Sequence, residues 1–237
     1  DYTKEIEIYP TSFVAYGNRA RARYIFGDLN GAVDDYTITI QINPICAQAY
    51  DGRGLAKAKL ADVAGAIKDY TKAIELEPSS VAVYYRRAVS HGKVGNFSAA
   101  IDDYTKVIEF NPTHANAYCN RGWAKGKLND FKGEIEDCTR AIQIHPMNAL
   151  IYCNRAAALY NIGDFASAIE DCGKAIEINP QDANPYRTRG MAKRQVGDSD
   201  GTIQDYTKAI EINSNFFDAY CSRGVVKTDC GDVEGAV

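Results

Sequence analysis

The chain has 237 residues, and 27 Lys+Arg against 31 Asp+Glu give it a formal charge of −4, which argues against a nucleic-acid binder held by backbone electrostatics. Charged residues at 24% and hydrophobic ones at 46% are the composition of a folded chain, not a disordered one. No apolar run approaches a membrane span. Seven cysteines, an odd number without a C-x-x-C pair, speak against a disulfide framework and for a cytoplasmic or other reducing intracellular compartment.

Read along the chain, Pro10, Pro44, Pro78, Pro112, Pro146 and Pro180 are spaced by 34 residues without slippage, and Ser214 stands where a seventh would fall. Such a period marks a stacked repeat array. Residues 1–12 read as the end of one unit. Full units follow at 13–46, 47–80, 81–114, 115–148, 149–182 and 183–216, with a partial one at 217–237, so one array over 1–237 is expected. With the proline as position 32, each unit predicts two amphipathic helices. The first carries apolar or small residues at positions 4, 8 and 10, the second at 17, 20, 21, 24, 27 and 28, spacings that share one helical face. Between them stands Gly-Asp or a near equivalent, as in Gly27-Asp28 and Gly163-Asp164. Glycine suits a left-handed helix end and Asp or Asn caps the next helix. Proline then stops the second helix. Asp1 and Val237 both fall inside second helices, so a longer array, or ends covered by partners, is expected.

Arg recurs at position 7, from Arg19 to Arg223, and Asp at position 23, from Asp35 to Asp205. Because every unit has them, they are expected to pair across the hairpin and serve stacking rather than form an anion site. Asp102/Lys106, Glu136/Arg140 and Glu170/Lys174 stand four residues apart and read as solvated helix support. His91, His114 and His145 are too scattered to gather a metal, and His91 is read as replacing a core aromatic. Cys138 and Cys172 occupy the aromatic position 24 and read as packing thiols. Gly122–Lys127 lies within a helix and lacks the Ser or Thr of a phosphate loop. Asn96-Phe97-Ser98 has the glycosylation pattern, which means little without a secretory signal. No catalytic constellation stands out, so neither enzyme activity, cofactor nor metal is expected.

An aromatic at 4, small residues at 8, 20 and 27, an aromatic at 24 and proline at 32, repeated in phase over essentially the whole chain, resemble the tetratricopeptide repeat (TPR) family. The resemblance implies an all-α fold, a right-handed α-solenoid or superhelix of antiparallel helix pairs. It also implies a non-catalytic protein-interaction scaffold or adaptor. Departures are Glu134 and Thr202 at position 20, Ala61 and Asn129 at the turn glycine, and Ser214. Units four and six are therefore expected to pack their helices less closely.

The family's concave groove is lined by first-helix positions 2, 5, 6, 9, 12 and 13. Mapped here, these hold the cations Arg21, Lys59, Arg86, Lys93, Lys127, Arg187 and Arg194 against the anions Asp51, Asp218 and Asp229. A basic groove on an acidic body favours an extended acidic or C-terminal peptide. Asn18, Asn120 and Asn154 stand at position 6, where an amide can both donate to and accept from a peptide backbone. Tyr85, Trp123, Tyr160 and Met191 add apolar anchors, and a groove-facing Trp is a typical hot spot. The expected peptide site is thus Tyr85, Arg86, Lys93, Asn120, Trp123, Lys127, Asn154, Tyr160, Arg187, Met191 and Arg194. The family's carboxylate clamp is not matched. Around Asn154 its positions hold Cys119, Trp123, Asn184 and Thr188, and around Asn120 they hold Tyr85, Val89, Leu150 and Asn154, so Hsp70/Hsp90 tail binding is disfavoured. Gly52, Arg86, Thr188 and Ser222 interrupt the Asn ladder seen before O-linked glycosyltransferases. A protein or peptide partner is expected, without nucleic acid or membrane insertion. The alternatives are a structural subunit using convex or end surfaces, with end-to-end or multi-subunit assembly, or the targeting segment of a longer, enzymatic protein.

Overall fold

A computed structural model of the chain describes residues 1–236; Val237, the last residue of the expected partial unit, lies outside them. The described residues form fifteen α-helices and no strand. They divide into two compact units, 1–113 and 114–236. The first unit holds α1 (Tyr2–Ile8), α2 (Phe13–Phe26), α3 (Leu29–Ile42), α4 (Ala47–Lys59), α5 (Val63–Leu76), α6 (Val81–Lys93) and α7 (Phe97–Phe110). The second holds α8 (Ala115–Lys127), α9 (Phe131–Ile144), α10 (Ala149–Asn161), α11 (Phe165–Ile178), α12 (Ala183–Gln195), α13 (Ser199–Ile212), α14 (Phe217–Asp229) and α15 (Val233–Ala236). Within each unit every helix packs on the next in sequence. The first helices of successive hairpins also touch, α2 on α4 on α6 and α8 on α10 on α12. Each unit is therefore a right-handed α-solenoid of stacked helix pairs.

Local chemistry places the hairpin turns. Gly27, Gly95, Gly163, Gly197 and Gly231 have positive φ, and the same left-handed conformation is forced on Ala61 (φ 64°) and Asn129 (φ 63°). The next residue caps the following helix: the Asp28, Asp62, Asp130 and Asp198 carboxylates accept from backbone N–H groups three residues on at 2.9 Å. Such a cap stabilises its helix by about 1 kcal/mol.

Stacking is held by a three-helix lock. The position-7 arginines Arg19, Arg53, Arg87, Arg121, Arg155 and Arg189 each donate twice to the position-23 carboxylate, at 2.6 to 2.9 Å. Arg53, Arg87, Arg155 and Arg223 also donate through Nη1 to a threonine hydroxyl on the preceding second helix: Thr37, Thr71, Thr139 and Thr207, at 3.0 to 3.2 Å. Each aspartate is buried, so the fork geometry fixes register more than it adds net stability. A second cation from position 11 reaches the same carboxylates: Arg23 to Asp35, Lys57 to Asp69, Lys125 to Asp137 and Lys193 to Asp205, at 2.8 to 2.9 Å. His91 therefore replaces a cation and not a core aromatic. Its buried Nδ1 has no hydrogen-bond partner, and burial lowers its pKa against the pull of Asp103.

Two further expectations change. On the exposed second-helix faces, Lys106 and Lys174 turn forward to Glu109 and Glu177 at 2.7 and 2.9 Å, not back to Asp102 and Glu170. Arg140 likewise donates to Gln143. Helices α8 with α9, and α12 with α13, stay closely packed despite Glu134 and Thr202, because their partners at position 8 are glycines. A β-carbon at Gly122 would lie 3.2 Å from the Glu134 carbonyl oxygen, and one at Gly190 3.2 Å from the Tyr206 ring. Thr202 donates to the Asp198 carbonyl at 2.6 Å. The Glu134 carboxylate lies over Gly126, where any β-carbon would collide with Oε2. Burial holds that carboxyl at about 7, opposed by the charge of Lys127.

Candidate functional site

In the first unit, three of the expected site residues lie on α6. The Tyr85 ring meets that of Tyr104 edge-on at 5.7 Å, Lys93 is exposed, and the Arg86 guanidinium forms an ion pair with Asp51 of α4. The second unit holds the other eight. Trp123 on α8 is 38% exposed, large for a tryptophan, and the Lys127 ammonium sits 5.5 Å from its ring centroid. Asn120 is half-buried on the same helix.

Tyr160, Arg187, Met191 and Arg194, from α10 and α12, come together in one cleft of about 320 Å³, with Tyr206, Asp218 and Ser222 completing its wall. Tyr160 rests on Phe165 at 5.4 Å, and Met191 packs on the core around Tyr206, so both anchors present one edge and bury the other. Arg187 lies 5.8 Å from the Phe216 ring centroid, and its Nε is buried without a partner. Arg194 is tied to Asp229 at 3.0 Å. Asn120, Trp123, Lys127 and Asn154 do not line this cleft. Asn154 spends one amide proton on the Cys119 thiol at 3.4 Å, which lowers its capacity to grip a peptide backbone.

Asp51 with Arg86, and Cys119 with Asn154, follow one rule: position 5 of a unit meets position 6 of the next, 35 residues on. Arg194 and Asp229 repeat that spacing between positions 12 and 13. Where the pair at 5 and 6 is Gly17 and Gly52, neither residue has a side chain to fill the space. A cleft of about 680 Å³ opens there between α2 and α4. Its floor is the Tyr36 ring, which lies so close to Gly52 that any β-carbon there would collide with it. Only Arg86 of the expected site lines this cleft. The signal is present in the sequence as two glycines at adjoining groove positions, which an asparagine ladder registers only as an interruption at Gly52.

Three of the inward-facing cysteines are held protonated. Burial pushes the Cys153 and Cys172 thiols up to about 12 and Cys138 higher still. Among the described residues no cluster of His, Cys, Asp and Glu is placed to hold a metal ion. No helix of the described residues is long and apolar enough to cross a membrane.

Stacked helix hairpins with a face of unlike side chains along their first helices define a protein-interaction scaffold. Tetratricopeptide repeat models match residues 81–114 and 149–182, and 47–80 and 115–146. The chain belongs to the tetratricopeptide repeat family, whose members are typically non-catalytic scaffolds. No curated protein sequence matches it. Among solved structures it is similar to that of the MamA protein, at 26% identity and TM-score 0.67, covering 71% of this chain and 92% of that one. It is similar in fold to YrrB, described as "a TPR protein with an unusual peptide-binding site", at 20% identity and TM-score 0.67, covering 78% and 95%. It is also similar in fold to the Cut9–Hcn1 structure from an APC/C hetero-tetramer, at 14% identity and TM-score 0.66, covering 100% of this chain and 45% of that one.

Proposed function

We propose that the chain is a non-catalytic adaptor that binds an extended acidic or C-terminal peptide of a protein partner along its first-helix face. The repeats 13–46 through 183–216 would form one array presenting that face. The observation that carries this is the convergence of Tyr160, Arg187, Met191 and Arg194 on one cleft, with the Arg187 Nε lacking an acceptor. An aromatic edge, a thioether and the Arg187 guanidinium suit an apolar side chain next to a carboxylate. Trp123, exposed beside Lys127, supplies a separate anchor. Cysteines that are all thiols, with the buried ones held protonated, fit a reducing compartment.

Arg187→Ala and Trp123→Ala test the proposal. Each should weaken recovery of the native partner about ten-fold or more while circular dichroism stays helical. The double change Asn120→Ala/Asn154→Ala should weaken it less, because Asn154 is already engaged by Cys119. Undiminished recovery by both single variants would refute the adaptor role and favour a structural subunit that uses other surfaces.

A further inference from the structure

We infer that the Gly17/Gly52 cleft of the first unit is a second docking site, and that it takes a tyrosine side chain of a partner protein from a segment flanked by acidic residues. It rests on the adaptor reading of the first-helix face but on none of the residues of the second unit. Three observations fix the chemistry of the occupant. Val14, Tyr24 and Leu55 line the cleft beside Asn18 and Thr39, and the Tyr36 ring, packed against Gly52, forms its floor; the space left open by Gly17 gives an apolar slot with a polar edge. Such a slot suits an aromatic ring.

The rim is cationic. Arg21 lines it with no carboxylate partner among the described residues, Arg86 stands at one end, and the Lys59 ammonium lies 4.4 Å from the Tyr24 ring centroid. A lysine or arginine of the partner would meet the like charges of Arg21 and Lys59, whereas flanking aspartates or glutamates would meet complementary ones. Asp51 lines the same cleft, and while one of its oxygens holds Arg86, its Oδ1 is buried without any hydrogen-bond partner. A buried acceptor in that state is costly, and an occupant of the cleft that reaches it through a small shift of the Asp51 side chain relieves that cost. A phenol satisfies all three conditions: its ring fills the slot, its hydroxyl donates to Asp51, and its lone pairs accept from Arg86. Phenylalanine would fill the slot and leave Asp51 unsatisfied.

Gly17 provides the test, because a β-carbon there meets only the Thr39 side chain at 3.8 Å. Gly17→Leu therefore plugs the cleft while leaving helix α2 intact. The probes are short fluorescein-labelled peptides with a central tyrosine flanked by random mixtures of alanine, aspartate and glutamate, titrated by polarisation onto the full chain. Saturable binding is expected, about ten-fold or more weaker with central phenylalanine and absent with central lysine. Gly17→Leu should abolish the preference for tyrosine over phenylalanine and Arg21→Glu should weaken it, while Arg187→Ala and Trp123→Ala leave that preference unchanged. No saturable binding, equal binding of the phenylalanine pool, or an undiminished preference in Gly17→Leu overturns the inference. Loss of self-association in Gly17→Leu without any peptide binding would make the occupant a second copy of the chain, and overturn it as well. Peptide binding lost in Arg187→Ala but retained in Gly17→Leu would place the only site in the second unit.

Discussion

Glu134 stands at a position where four other units carry a fully buried alanine, and it is itself only 7% exposed. Its carboxyl is held at about 7 rather than at the 4.5 of a solvated glutamate, because burial between α8 and α9 outweighs the attraction of Lys127. Folding therefore binds a proton more tightly than the unfolded chain does. The stabilisation is complete below pH 4.5 and is lost as the pH rises through 7. The ionised form is disfavoured by about 3 kcal/mol at high pH, a large fraction of an ordinary domain's stability. Glu134→Gln keeps the shape and removes the titration. Urea unfolding at pH 8 should show the variant more stable by about 2–3 kcal/mol, with the difference shrinking to within about 1 kcal/mol at pH 5. A second cycle isolates the geometry. Gly126→Ala should destabilise the wild-type chain, since its methyl takes the space of Oε2. In a Glu134→Ala background it should instead stabilise by about 1 kcal/mol, the ordinary helix preference of alanine over glycine. Identical pH profiles for wild type and Glu134→Gln would refute this account of the buried carboxyl.

The remaining predictions concern the lock and the turns. Asp69→Ala strands both Arg53 and Lys57, whereas Asp171→Ala strands Arg155 without a position-11 cation, since Leu159 stands there. The first should therefore cost more in chemical denaturation, both lying near about 3 kcal/mol. His91 has its pKa lowered by burial, so as the pH falls the unfolded chain takes up its proton first and stability declines below the ordinary histidine pKa. His91→Lys should supply the missing cation to Asp103, raise the melting temperature and flatten that acid limb; an unchanged limb would exclude His91 as its source. Ala61→Gly relieves a left-handed conformation at φ 64° and should stabilise by about 1 kcal/mol in thermal unfolding.

Much of the fold was legible because a 34-residue period makes each local signal count several times over. Helix faces, turn glycines and caps recur in phase, and Arg19 with Asp35 could be paired by recurrence alone. What escaped was the coupling between units. The threonines at Thr37, Thr71, Thr139 and Thr207 look like unremarkable helix positions until the arginine of the next unit is seen to bond them. The role of His91 is hidden for the same reason, since its meaning depends on Arg23, Lys57, Lys125 and Lys193 reaching a carboxylate on another helix.

The groove shows the same dependence on neighbours more sharply. Counting its charges one by one makes it a basic surface, yet Arg86 and Arg194 are each held by an aspartate 35 residues away. Lys59, Lys127 and Arg187 lean on aromatic rings. A groove residue is therefore defined by its position-5 or position-6 companion in the adjoining unit, and so is a missing one. Asp51 with Arg86 closes the surface, Cys119 with Asn154 spends an amide, and Gly17 with Gly52 leaves a hole. On the proposed adaptor reading, specificity would be set by these pairs rather than by single residues. Substituting one member should alter binding according to what its companion is left without, so Asp51→Ala should liberate Arg86 and increase affinity for acidic peptides while removing the preference for tyrosine over phenylalanine in polarisation titrations. Retention of that preference in Asp51→Ala would show that the hydroxyl is read by some other group.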